Sequence, residues 1–308
     1  MSGGGGISPS SLRRVSRDLE DEKKRSEDQA FDTKVSEMLD DLLGDYNRRD
    51  AKAIQGHLRD VLAAITESVE GSVESRFGGS VGKHTYVSGL SDIDALLLLS
   101  DEKLAAKSPR QVLRLLGRLL RQKLADVTPT LGVLALTLRF PDGHEIQLLP
   151  AVRTRAGFRI ASSDGKRWSE IRPDRFAEKL SEVNKTHGGR VIPTVKLAKA
   201  INEGLPVRSR LTGYHIESLA VEAFKSYSGQ QTTKAMLQHF FRSAAELVKQ
   251  PIVDRTGQSV HVDDSLGVAN STQRVAVSRE LDRVARSMKN ADMARSLPQW
   301  RALFEGVE

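Results

Sequence analysis

Asp92 and Asp94 stand two residues apart at the mouth of the apolar run Ala95-Leu96-Leu97-Leu98-Leu99. On a β-strand, residues i and i+2 point to one face, so the two carboxylates project together while Ile93 turns to the other side. Such a pair repels unless a cation sits between the oxygens. Carboxylate oxygens are hard ligands that suit Mg²⁺, an ion that keeps waters and substrate phosphates in its shell. Two such ions can activate an attacking hydroxyl and stabilise a leaving pyrophosphate. Phe77-Gly78-Gly79-Ser80 supplies the complementary half, with eleven residues between Ser80 and Asp92. Glycines let backbone N–H groups approach a phosphate closely, and Ser80 adds a hydroxyl at a candidate helix N-terminus. One loop then holds a triphosphate while the next strand holds metal.

Taken singly, these parts are cheap. A chain with 40 acidic residues among 308 contains acid-x-acid spacings by chance, and Gly-Gly-Ser is an ordinary turn. The reading rests on their order, their spacing and the apolar strand behind the acids.

The elements that position these groups can be read from periodicity. Residues 73–77 and 93–99 read as strands on either side of the glycine turn. Residues 131–140 and 144–151 read as two more, joined at the hairpin signal Pro141-Asp142-Gly143. Helical spacing runs over 34–46 through Val35, Met38, Leu39 and Leu42, and over 49–69 through Ile54, Leu58, Leu62 and Ile65. A third helix, 109–125, opens with Pro109 after Ser108. From about 173 the chain reads as almost wholly helical, over 173–186, 191–203, 214–227, 231–249, 271–292 and 298–305, with 250–268 irregular. The fold class is α+β. The expected units are a low-complexity N-terminus over 1–30 (disordered or loosely helical), a mixed-sheet core with lead-in helices over 31–170, and a helical substrate-binding half over 171–308. A cleft between two such halves is a favoured ligand site.

Composition narrows the partners. The formal charge of +7 favours phosphate-bearing ligands. Aromatics are only 5%, which argues against a base-stacking platform for single strands, so nucleic acid is allowed as a partner but not required. No apolar run approaches the roughly 18 residues of a membrane span, and residues 1–14 lack the apolar stretch of a secretory signal. The absence of cysteine excludes disulfides and thiolate chemistry. A cytoplasmic protein that does not engage membrane is expected.

The segment 77–99 resembles the signature of the polymerase-β-type nucleotidyltransferases: an apolar residue, Gly, Gly or Ser, a gap, then Asp-apolar-Asp/Glu-apolar. Within that superfamily the chain is similar to the bacterial cyclic-oligonucleotide synthases of anti-phage defence, relatives of animal cyclic GMP-AMP synthase and oligoadenylate synthase. Gln147-Leu148-Leu149-Pro150-Ala151 is similar to their third-carboxylate strand, and Trp168 to Phe176 to the loop and helix start that follow. Lys196-Leu197-Ala198-Lys199 and Gly213-Tyr214-His215-Ile216-Glu217 are similar to two of their C-terminal helix motifs.

The resemblance implies a nucleotidyltransferase sheet core with an oligoadenylate-synthase-like helical half. It implies Mg²⁺ or Mn²⁺ and ATP with other nucleoside triphosphates as substrates. The product is a cyclic or short linear oligonucleotide messenger, read by a downstream effector, with a regulatory protein as a further partner. Asp92 and Asp94 become catalytic metal ligands, and Gly79, Ser80, Gln147, Lys196, Lys199 and Tyr214 become nucleotide contacts. Lys196 and Lys199 share a helix face at i and i+3, and Lys196 is the closer match to the family's triphosphate lysine. Lys83 and His84, in the loop before the acids, are lesser phosphate candidates. His215 and Glu217 read as helix-start residues.

The chain departs from the family pattern at 147, where a glutamine replaces the third carboxylate. An amide oxygen ligates Mg²⁺ weakly and cannot act as a base. Glu145 lies two residues earlier on the same strand face, and is expected to complete the metal and catalytic set. Two alternatives stand beside this reading: a catalytically weak or silent nucleotide- or nucleic-acid-binding member of the fold, and a toxin-type enzyme that transfers AMP.

Overall fold

The computed structural model describes residues 9–48, 51–69, 73–77, 80, 83–87, 93–100, 102–154, 158–162, 165–171, 173–252 and 263–305. Helix α1 (Pro9–Tyr46) is 38 residues long. Residues 9–30, expected to be disordered or loosely helical, form its first half. Their Arg, Lys and Glu content is helix-forming, and Arg295 anchors the middle of the helix through Glu27 and Asp28 at 2.8 and 2.7 Å. Beyond that point Phe31, Val35, Met38, Leu39 and Leu43 are buried.

Helix α2 (Ala51–Thr66) leads into β1 (Val73–Phe77) and β2 (Ile93–Leu99). A short α3 (Glu102–Ala105) and α4 (Pro109–Lys123) follow. Ser108 caps α4 as the Ser-Pro pair predicts: its backbone N–H donates to Gln111 Oε1 at 2.9 Å, its hydroxyl accepts from Gln111 N at 3.4 Å, and Pro109 fills the first turn. Then come β3 (Thr128–Leu131), β4 (Leu136–Arg139), β5 (Glu145–Arg153), β6 (Phe158–Ala161) and β7 (Trp168–Ile171). The helical half comprises α5 (Pro173–Thr186), α6 (Val191–Glu203), α7 (Gly213–Phe224), α8 (Thr233–Leu247), α9 (Thr272–Met293) and α10 (Leu297–Arg301).

Among the described residues the sheet has seven strands, with the main path β1-β2-β5-β4-β3 and with β6 and β7 added beyond β5. The β2–β5 pair is parallel and the other pairs are antiparallel. The segment 131–140, expected as one strand, is divided between β3 and β4. The chain reverses where Gly132 N–H donates to Ala135 O at 2.9 Å. Leu-Gly-Val-Leu-Ala-Leu offers no polar turn residue, so periodicity alone could not reveal that reversal. The hairpin signal at 141–143 does give a turn, with Gly143 at φ 89°, a conformation that glycine reaches without steric cost.

Strand alternation divides the sheet into two faces. Ala95, Leu97, Leu99, Ile146 and Leu148 pack with α2 and α4, while Leu96, Leu98, Ala151 and Phe158 pack on the other side. The helical half has its own core, including Leu219, Phe240, Phe241 and Trp300. Helix α1 belongs to that core rather than to the sheet half in which the sequence grouped it. Its stripe meets α6 and α8, whereas the stripe of α2 meets the sheet and α4.

Candidate functional site

The parallel register of β2 and β5 places Asp94 opposite Gln147, between the pairs Ile93–Ile146 and Ala95–Leu148. Ala95, Ile146 and Leu148 point into the core beneath α2 and α4, so Asp94, Glu145 and Gln147 belong to the opposite face. Neighbouring strands run about 4.8 Å apart, and both Asp94 and Gln147 are half-buried. The structure thus brings together two of the expected residues at the heads of adjacent strands. Glu145, on the same face, has its carboxylate in an ion pair with Arg139, its cross-strand neighbour on β4. Asp92 and Gly79 lie outside the described residues.

Ser80 is half-buried, and its carbonyl accepts the Thr85 N–H at 2.9 Å. Thr85 is fully buried, and it is where the loop meets the helical half. Lys199 Nζ donates to Thr85 O at 3.0 Å, to Thr85 Oγ1 at 3.1 Å and to Glu217 Oε1 at 2.8 Å. The Thr85 hydroxyl donates to the same Glu217 oxygen, and Lys83 donates to its other oxygen. One carboxylate on α7 therefore gathers a lysine from α6 and a lysine and a threonine from the loop between Ser80 and Asp94. Lys83 also lies 5.3 Å from the ring centroids of both Phe176 and Tyr214, which meet edge to face at 4.9 Å. Tyr214 thus packs against the helical core as well as against this junction.

Burial works on these charges strongly. It pushes the Glu217 carboxyl up, but the cations of Lys83 and Lys199 outweigh it and hold the group below the usual carboxylate range. For Lys199 burial prevails: despite Glu217 and the nearby charge of Asp94, its ammonium loses its proton more easily than an ordinary lysine.

The two helix lysines therefore differ. Lys199 is committed to Thr85 and Glu217, while Lys196, half-buried, donates to Asn47 Oδ1. His84 is exposed in the left-handed region at φ 60°. Glu217, read from sequence as a helix-start residue, is the junction's centre. The signal was present but faint: it shares a helix face with Ala220 and Phe224, and an acid on an apolar face needs partners.

No protein-family model and no curated protein matches the sequence. Solved structures do. CdnG of Bradyrhizobium diazoefficiens in complex with GTP aligns with TM-score 0.64 at 15% identity, over 83% of this chain and 89% of that one. CdnC of Escherichia coli MS115-1 with ATP aligns with TM-score 0.62 at 18% identity, over 88% and 93%. The Vibrio cholerae cyclic AMP-GMP synthase DncV, with the linear intermediate 5′-pppA(3′,5′)pG, aligns with TM-score 0.61 at 10% identity, over 96% and 90%. The sheet half and the helical half together thus have the α+β nucleotidyltransferase fold of these solved structures.

Proposed function

We propose that the chain is a cytoplasmic nucleotidyltransferase that joins nucleoside triphosphates into a cyclic or short linear oligonucleotide messenger, releasing pyrophosphate. The observation that carries this reading is Asp94 opposite residue 147 at the head of a parallel strand pair, beside a loop fastened by Thr85, Lys199 and Glu217 to the helical half. Neighbours of the same fold bound to ATP, to GTP and to a linear intermediate support it.

The donor set fits a hard divalent cation, since Asp94 and the Gln147 amide offer oxygens on adjacent strands and the chain has no thiolate. Asp92, Asp94 and Glu145 are the proposed ligands; bound Mg²⁺ or Mn²⁺ would neutralise phosphate charge and acidify the acceptor hydroxyl. Gly79, Ser80, Gln147 and Lys196 hold the triphosphate in this scheme, and Tyr214 flanks the base. Lys199 keeps the loop seated beneath the nucleotide. A regulatory protein partner is proposed by analogy with a neighbour, CdnC, that was solved with a HORMA protein; the anti-phage setting and the downstream effector are proposed on the sequence resemblance alone.

The test is to incubate the purified protein with each labelled nucleoside triphosphate and Mg²⁺ or Mn²⁺, treat with phosphatase and separate the products. Phosphatase-resistant material and stoichiometric pyrophosphate are expected. A single AMP transferred to protein or RNA would instead favour the toxin-type activity. The neutral Gln147 favours a second reading, binding without turnover. Nucleotide analogue binding by calorimetry without pyrophosphate release would select it.

Two predictions follow from the proposed roles. Ser80→Ala and Lys196→Ala should each weaken nucleotide binding by about 1.5–3 kcal/mol, the worth of a hydrogen bond to a charged group. An unchanged Kd for Lys196→Ala would remove that lysine from the site. Glu145→Gln should reduce turnover far more than Gln147→Ala, because a third anion beside the metal can take or stabilise the acceptor proton and an amide cannot. The Arg139 pair is no obstacle: Arg139 is largely exposed, and exposed pairs contribute only about 0–1 kcal/mol. The reverse ordering of the two variants would make Gln147 the working ligand.

A further inference from the structure

At the turn between β4 and β5, a second polar cluster takes no part in the site described above. His57 of α2, with Asp142 and His144 of the turn, brings two imidazoles and one carboxylate together. One ligand atom from each lies within 4.8 Å of the others. Asp142 Oδ2 is 2.6 Å from His57 Nε2 and 3.1 Å from His144 Nδ1. We propose that His57, Asp142 and His144 bind a late first-row transition-metal ion, Zn²⁺ foremost, which staples α2 to the β4–β5 hairpin.

Three features carry this proposal. The donors lie near the spacing of a four-coordinate ion: bonds of about 2.0–2.1 Å at tetrahedral angles place donor atoms roughly 3.3 Å apart, against 3.1 Å for Asp142–His144 and 2.6 Å for the hydrogen-bonded Asp142–His57 pair, which opens to admit the ion. His144 Nδ1 is shielded from solvent, and Asp142 Oδ2, 3.1 Å away, faces it at a poor hydrogen-bonding angle. A metal between the two would give this nitrogen a better-directed partner. The ligands are also held in place beforehand. Asp142 Oδ1 accepts the His144 backbone N–H at 3.1 Å, and the His57 ring stacks on Phe140 with centroids 3.9 Å apart. Such outer contacts orient metal ligands.

The donor set also selects the ion. Imidazole suits Zn²⁺, Ni²⁺ and Cu²⁺, whereas Mg²⁺ prefers the all-oxygen face near Asp94. Each of the three side chains is partly exposed, which leaves an entry path and room for water as fourth ligand. His144 precedes Gln147 by three residues, about 10 Å along the strand. A bound ion would fix the turn from which the strand bearing Glu145 and Gln147 departs.

The experiment is a Co²⁺ titration of tag-free, EDTA-treated full-length protein at neutral pH, followed in the visible range. One equivalent should produce the intense d–d absorption of a four-coordinate ion, Zn²⁺ should displace it, and Zn²⁺ should raise the Tm above that of the EDTA-treated protein. His57→Gln and His144→Gln should each weaken Co²⁺ binding at least tenfold, with folding checked by circular dichroism. His144→Gln lies on a turn, so it remains informative if His57→Gln misfolds. Asp94→Asn should keep the band, which separates this site from the proposed nucleotide site whatever the fate of that reading. No four-coordinate band, a band that survives both histidine changes, or a band lost in Asp94→Asn would each overturn the assignment.

Discussion

Asp94→Asn should abolish pyrophosphate release from ATP, by on the order of a thousandfold or more, which is about 4 kcal/mol of transition-state stabilisation. The change keeps the shape of the side chain and removes one negative charge from the face shared with Gln147 and Glu145. If a metal holds the triphosphate there, the lost charge weakens the ion's grip as the leaving group develops its own. Stability should change little, because two effects oppose each other. Removing Asp94 relieves any repulsion with its acidic neighbours, but Asp94 also supports the charged form of Lys199. A Tm within a few degrees of wild type, measured without divalent metal, would show that the loss is chemical rather than structural. Undiminished pyrophosphate release would remove Asp94 from the catalytic set.

Glu217→Ala should be the most destabilising single change at the junction, by about 3–5 kcal/mol, the cost of leaving buried charge uncompensated. Glu217 is 1% exposed and holds the ammonium groups of Lys83 and Lys199 with the hydroxyl of Thr85. Its loss leaves two cations and a hydroxyl without their shared acceptor. Urea unfolding gives the free energy, and pH gives the mechanism. Because the folded pKa of Glu217 is depressed, its contribution is fully present above the ordinary glutamate value of 4.5 and is lost as pH falls through the lower folded value. The gap in stability between wild type and Glu217→Gln should therefore narrow on acidification below that point. A gap independent of pH would mean that Glu217 acts through packing alone. Replacing the set together, as Lys83→Met, Glu217→Leu and Lys199→Met, should recover much of the loss, since an apolar cluster avoids the desolvation cost of the charges.

Local patterning made much of this architecture legible beforehand. The stripes of α1 and α2, the Ser-Pro cap of α4 and the Pro-Asp-Gly turn each depend on residues within a few positions of one another, and each lies where periodicity or turn chemistry puts it. The β3–β4 reversal was hidden because its turn is built from Gly, Val, Leu and Ala. The assignment of α1 to the helical core was hidden for a different reason: an apolar stripe tells that a helix is covered, not what covers it. The same limit applied at the site. Strand parity places Asp94 and residue 147 on one face from sequence alone, whereas the Glu217 junction joins residues more than 130 positions apart. The two lysines at i and i+3 looked equivalent on a helical wheel; burial beside Glu217 separates Lys199 from Lys196.

The position of α1 has a consequence for how the protein comes into being. Its buried stripe, from Phe31 to Leu43, has its partners on α6 and α8, and its charged stretch finds Arg295 just beyond α9. At roughly 5–20 residues per second, the stripe leaves the ribosome on the order of 10–40 s before Met236 and Phe240 follow it. For that interval an amphipathic helix has no core to enter. The sheet half, whose helices α2 and α4 are encoded beside their strands, can close first and leave α1 waiting outside it. The helical half then completes around a segment made before any of its other parts. Its folding must carry the loop-closure cost of a contact that spans most of the chain.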